Sequence, residues 1–190
     1  AYGDPGDTNA MFDDSENIIF LFDNNIKNMP RDEIASLIVH ELTHGLQQYK
    51  KRSERYGTQI HKMIKGQPYS KKAYYLAPHE LDAQTTEIGH AIQTKFNSLL
   101  KDISKSLFPQ TKKIMQRKLE KFLLELKNFI RSPIKNYLIL KELPLPEPLD
   151  IHVDFLKTAY KDPKVYKKLK QKLVDLHTKF EKVYQEQFDT

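Results

Sequence analysis

The sequence predicts an α+β fold that is mostly helical, and three observations carry that expectation. One run alone, Asn17 to Phe22 ("NIIFLF"), is β-branched and aromatic and has the length of a single strand. Four longer stretches set apolar residues at helical spacing. The chain has 190 residues with 39% hydrophobic content and no cysteine, so its core must come from apolar packing rather than from disulfides or zinc ribbons.

Residues 1–16 are rich in Gly, Pro and Asp and read as loop. The strand run follows, then a turn region, "DNNIKNMP". A first helix is expected from Pro30 to about Lys51, with Pro30 suited to a first helical position and Asp32 and Glu33 favouring the positive end of the dipole. Its apolar residues Leu37, Ile38, Leu42 and Leu46 are expected to be buried. On a helical wheel Ile34, Ile38, Leu42, Gly45 and Tyr49 cluster, with His40 and His44 roughly opposite. Residues 52–72 are polar and broken by Gly57, Gly66 and Pro68. A second helix is expected from Pro78 through Leu100, and a third from Thr111 to Ile130, which Pro133 interrupts. "LPLPEPLD", Leu143 to Asp150, reads as a stiff extended linker. A last helix, Pro163 to Phe188, carries Val165, Leu169, Leu173, Leu176, Phe180 and Val183 in a near-heptad row. The chain thus divides into a core over residues 1–100 and a helical C-terminal part over 101–190.

Charge divides the chain as well. Residues 1–50 carry three Lys/Arg against nine Asp/Glu, and residues 51–190 carry 28 against 16. The basic part would attract nucleic acid or another polyanion, but no aromatic–basic interleaving accompanies it, so a solvated lysine surface is the favoured reading. No apolar run is long enough to span a bilayer. The absence of a signal peptide and of cysteine fits a cytoplasmic location. The chain opens on Ala1 rather than Met, as a fragment or processed form would.

"LIVHELTHGLQQ" sets the functional expectation. His40 and His44 stand four residues apart, on one helix face and within reach of one ion. Glu41 cannot share that coordination position but can reach a water on the ion, whose pKa zinc lowers to near 7. The pattern His-Glu-x-x-His is expected about 0.02 times by chance at this composition. A zinc hydrolase needs a third protein ligand and keeps the fourth position for water. The glycine and histidine of the metzincin extension are replaced by Gln47 and Lys50. The candidates are His61, His79, Glu80, Asp82, Glu87 and His90. Glu80 is preferred because it opens a helix after Pro78, with Gln84 one turn on to hydrogen-bond an imidazole or the carboxylate. Asp82 is the next choice of ligand. Glu87, two turns from Glu80 on the same side, is an outer partner or a substitute ligand.

"VHELTHGLQQ" followed by "YLAPHELDAQTTEIG" resembles the gluzincin branch of zinc metallopeptidases, across about residues 15–95, and is more similar to its small bacterial and phage members than to thermolysin proper. The resemblance implies a zincin-like core with Asn17–Phe22 as edge strand above the cleft, an active-site helix and a glutamate helix. It maps the third ligand onto Glu80. Where thermolysin-like enzymes place an Asp four residues after that ligand, this chain has Gln84. The family's transition-state donor, a His or Tyr, has no motif here; Tyr69, Tyr74, Tyr75 and His79 are the nearest candidates.

The expected function is therefore zinc-dependent peptide-bond hydrolysis of a peptide or protein substrate, with one Zn²⁺ per chain. Three alternatives stand beside it. One is a structural-zinc helical protein whose basic half binds a partner or nucleic acid, and another is a homologue that has lost proteolysis. The third is a di-iron bundle using Glu41-x-x-His44 and Glu87-x-x-His90, which lacks a separate helical Glu before each unit.

Overall fold

A computed structural model describes residues 9–13, 16–49, 78–132, 145 and 147–188 of the chain. The described residues are mostly helical, with one two-stranded antiparallel sheet. They fall into two units, Ala1–His90 and Ala91–Thr190.

The first element described in the first unit is a strand that composition did not reveal. β1 (Ala10–Asp13) pairs with β2 (Ile18–Leu21), placing Phe12 opposite Ile19. The loop-like flanks of "AMFD" hide it in the sequence, because its partner rather than its own pattern makes it a strand. Asn17 closes the connection at φ 55°, a left-handed conformation that asparagine tolerates. The expected turn region contains a one-turn helix, α1 (Asp23–Ile26).

α2 (Arg31–Tyr49) carries the HELTH sequence, with Asp32 and Glu33 in its first turn. Its inward face departs from the expected one, of which Leu37 and Ile38 are only half-buried. Leu42 and Leu46 are 49% and 60% exposed, while Ser36, His40, Glu41 and Gln47 are buried. Polar side chains are thus prominent among those that pack, and the helix also meets β1, where a Cβ placed on Gly45 would meet the Phe12 ring at 3.0 Å. Glycine is what lets strand and helix approach this closely.

α3 (Pro78–Lys105) starts at the expected proline and runs one turn further than expected. Its residues up to His90 belong to the first unit and the remainder to the second.

The second unit is built on apolar packing. It holds the end of α3, then α4 (Pro109–Arg131), a 3-10 turn (Leu149–His152), α5 (Val153–Lys161) and α6 (Pro163–Phe188). Leu119, Leu126 and Phe129 of α4 are buried, as are Leu169, Leu173 and Phe180 of α6 and Phe155 and Leu156 of α5. Phe96 and Phe180 stack with ring centroids 4.0 Å apart. Each such side chain contributes about 1.5–3 kcal/mol of burial. The end of the expected extended linker is instead the 3-10 turn, with Leu149 buried. Leu143, Pro144 and Pro146 of that linker, and the 52–72 segment, lie outside the described residues. Among the described residues no helix is long and apolar enough to cross a membrane.

Candidate metal centre

Three side chains meet between α2 and the start of α3. His40 and His44 project one turn apart from α2, and Glu80 comes from the first turn of α3. His40 Nε2 lies 3.1 Å from His44 Nε2. Glu80 Oε1 is 3.0 Å from His44 Nε2, and Glu80 Oε2 is 3.6 Å from His40 Nε2. This is the one group of described residues able to hold a metal ion. Ligand atoms around a tetrahedral zinc with bonds of ~2.0–2.1 Å stand about 3.3 Å from one another. The observed separations straddle that value.

The outer nitrogens are engaged too. His40 Nδ1 donates to Glu87 Oε2 at 3.0 Å, and His44 Nδ1 donates to Gln47 Oε1 at 3.2 Å. A neutral imidazole that donates from Nδ1 presents a bare lone pair at Nε2. Two lone pairs and a carboxylate therefore face one another in a site where His40 and Glu80 are buried. Glu80 Oε2 is buried there without a hydrogen-bond partner among the described residues. Such a set repels itself unless positive charge sits within it.

Without a metal, that charge is a proton. Burial works to lower the pKa of His40, but the neighbouring Glu80 and Glu87 carboxylates outweigh burial and raise it from 6.5 to about 10. Glu80 shows the matching shift: burial works to raise its pKa, yet the two histidines bring it from 4.5 down to about 2. Burial raises Glu41 above the ordinary carboxylate value, offset in part by His40, His44 and the Phe12 amide. Glu41 Oε2 accepts the main-chain N–H of Phe12 at 2.9 Å.

The remaining candidates divide clearly. Glu87 is the outer partner of His40, the role the sequence had offered to Gln84 as well. Gln84 is half-buried on α3, and among the described residues it bonds neither imidazole. Asp82 lies outside the three-residue group, its main-chain carbonyl accepting the Thr86 hydroxyl. His90 Nδ1 shares a 3.2 Å hydrogen bond with Ser36 Oγ and does not join the cluster, which leaves the di-iron arrangement without its second unit. His79 falls in the first turn of α3, but its side chain, like His61, Tyr69, Tyr74 and Tyr75, lies outside the described residues.

Sequence reasoning missed two contributors. Gln47 could have been found, since it stands three residues after His44 on the same helix. Phe12 could not, because its part is played by a main-chain N–H. The strand beside Glu41 is β1, not the Asn17–Phe22 run that the resemblance implied. No family model, curated protein or solved structure matches the chain.

Proposed function

We propose that the protein is a zinc-dependent peptidase of the gluzincin type, with His40, His44 and Glu80 as metal ligands and Glu41 as general base. The observation that carries this reading is the convergence of two imidazole lone pairs and one carboxylate at 3.0–3.6 Å, each histidine held by an acceptor on its far nitrogen. A nitrogen-rich set with a single carboxylate suits zinc better than calcium or magnesium, which take oxygen ligands. Bound there, zinc would act as a Lewis acid toward the scissile carbonyl and lower the pKa of a water molecule.

The side chains supply the rest. Glu87 and Gln47 hold the two rings in the tautomer that offers Nε2. Glu41 takes a proton from water as the water oxygen bonds to the carbonyl carbon. It returns that proton to the amine nitrogen as the C–N bond breaks. The raised pKa of Glu41 suits both halves of this exchange. A site that only stabilised the fold would gain nothing from a buried carboxylate beside the metal.

The test is metal content by mass spectrometry, with casein cleavage alongside, for wild type, Glu41→Gln and Glu80→Ala. One zinc is expected in wild type and in Glu41→Gln but not in Glu80→Ala, with cleavage in wild type alone. Zinc kept by Glu80→Ala would move the third ligand elsewhere. Zinc in wild type without cleavage of any peptide would favour a structural metal.

A further inference from the structure

We infer that the main-chain N–H of Phe12 is a positioning group for Glu41, and that Gly45 is the residue that lets it reach the carboxylate. The inference rests on the hydrolase reading above.

The register supplies the first half of the argument. Phe22 N donates to Asn9 O, so Asn9–Phe22 is a hydrogen-bonded pair. Bonded and non-bonded pairs alternate along an antiparallel ladder, which makes Met11–Phe20 bonded and Phe12–Ile19 non-bonded. The Phe12 N–H therefore points away from β2. It ends on Glu41 Oε2 at 2.9 Å. Packing supplies the second half. The Phe12 ring lies where a Cβ on Gly45 would come within 3.0 Å, and Gly45 is one turn beyond Glu41 on α2. One strand residue thus touches the helix twice, by its amide and by its ring.

A carboxylate on a flexible side chain beside two histidines has another place to go: it can swing onto the metal as a ligand and cease to act as a base. A charge-assisted bond from a strand amide holds Oε2 on the strand side and leaves Oε1 for the proton. The donor is itself fixed by the ladder, so the anchor does not depend on a rotamer. Misplacing a reacting group by about 1 Å can cost 10²-fold in rate.

The test compares Phe12→Pro with Phe12→Ala in the zinc-loaded full chain. Proline removes the donor, and because that N–H takes no part in the ladder the strand can accept it. Alanine keeps the donor and removes the ring. In Phe12→Pro kcat is expected to fall about 10- to 100-fold, with KM and zinc content held, and in Phe12→Ala the loss is smaller. Equal losses would make Phe12 a packing residue and overturn the inference. A readout independent of turnover is the Phe12 amide proton in ¹⁵N-Phe-labelled protein, expected downfield in wild type and moving upfield in Glu41→Ala. No movement overturns the inference. Should Phe12→Pro fail to fold, Gly45→Ala replaces it: kcat drops, and adding Phe12→Ala restores part of the loss, whereas no restoration counts against the close approach. A wild type that cleaves nothing overturns the hydrolase reading and this role with it. An amide that still responds to Glu41→Ala would then identify the chemistry, not the geometry, as what failed.

Discussion

Two buried histidines, one in each unit, show what separates a site from a core. His40 on α2 and His177 on α6 are 5% and 7% exposed. In α6, His177 occupies a place in the row Val165, Leu169, Leu173, Phe180, and its Nε2 donates to the Leu123 carbonyl at 3.2 Å. Its Nδ1 stands 3.5 Å from Glu181, which is partly exposed. Every polar demand of that ring is met by groups the helices supply anyway. His40 turns both nitrogens toward carboxylates and a second imidazole. Burial alone would have ranked the two alike. Where the second nitrogen goes distinguishes them, and the surroundings agree. Among the described residues the first unit buries Ser36, His40, Glu41, Gln47, Glu80 and Thr85 against only Ala10, Ala83 and Ile88, while the second buries His152 and His177 within a broad Leu and Phe core.

The largest effect that would sharpen this contrast is in the second unit. Phe180 stacks on Phe96 at the centre of the apolar packing. Phe180→Ala is expected to cost about 3–5 kcal/mol of stability, through lost burial and a cavity. Urea unfolding followed by circular dichroism measures it, and metal binding at sub-denaturing urea should persist. A Phe180→Ala protein that folds as stably as wild type would mean the apolar core is not what holds the second unit.

Next in size is Glu87→Gln, which keeps the shape of the outer partner and removes its charge. Metal affinity is expected to fall about 10- to 100-fold, the usual cost of losing such a partner. Competition with a chromogenic chelator reads this directly. His177→Gln, the same kind of change in the other unit, should leave metal affinity where it was.

Acidity probes the same difference more gently. His40 has its folded pKa raised, so its contribution to metal-free stability is fully present below 6.5 and is lost as pH rises through about 10. Glu80 has its folded pKa lowered, so its contribution is present above 4.5 and is lost as pH falls through about 2. Glu41, raised by burial, works the other way and costs stability above its ordinary value. A metal bound there would displace the His40 proton, so observed affinity should rise roughly tenfold per pH unit at pH values below about 10. Calorimetry at pH 8 in buffers of different ionisation enthalpy should count about one proton released. A flat pH profile would mean His40 is not a ligand.

These tests also mark what the sequence could and could not reveal. The i, i+4 spacing of His40 and His44 is local, so it was legible, and so were the helices, with α2 beginning at Arg31 and α3 at Pro78, each within one residue of expectation. Glu80 was legible because a proline fixed where its helix starts. The packed face of α2 was not. Hydropathy pointed to Leu42 and Leu46, whereas the helix buries Gln47 together with His40 and Glu41, which face Glu80 and β1. β1 itself was invisible, since four residues among Gly, Pro and Asp carry no periodicity until β2 pairs with them.

The smallest expected effect closes the comparison. Lys127 Nζ sits 3.1 Å from Glu181 Oε1, and both side chains are partly exposed. Lys127→Met keeps the aliphatic stem over the helix and removes the charge, so the loss should be about 0.2–1 kcal/mol, read by urea unfolding. Glu181 also faces His177, so the carboxylate keeps a neighbour when the lysine is gone. Solvent screens this pair and little screens Glu80, which is why the same histidine–carboxylate chemistry decorates one unit and organises the other. A loss from Lys127→Met approaching that from Phe180→Ala would break the distinction, because it would place a network of charge, not a hydrocarbon core, at the base of the second unit.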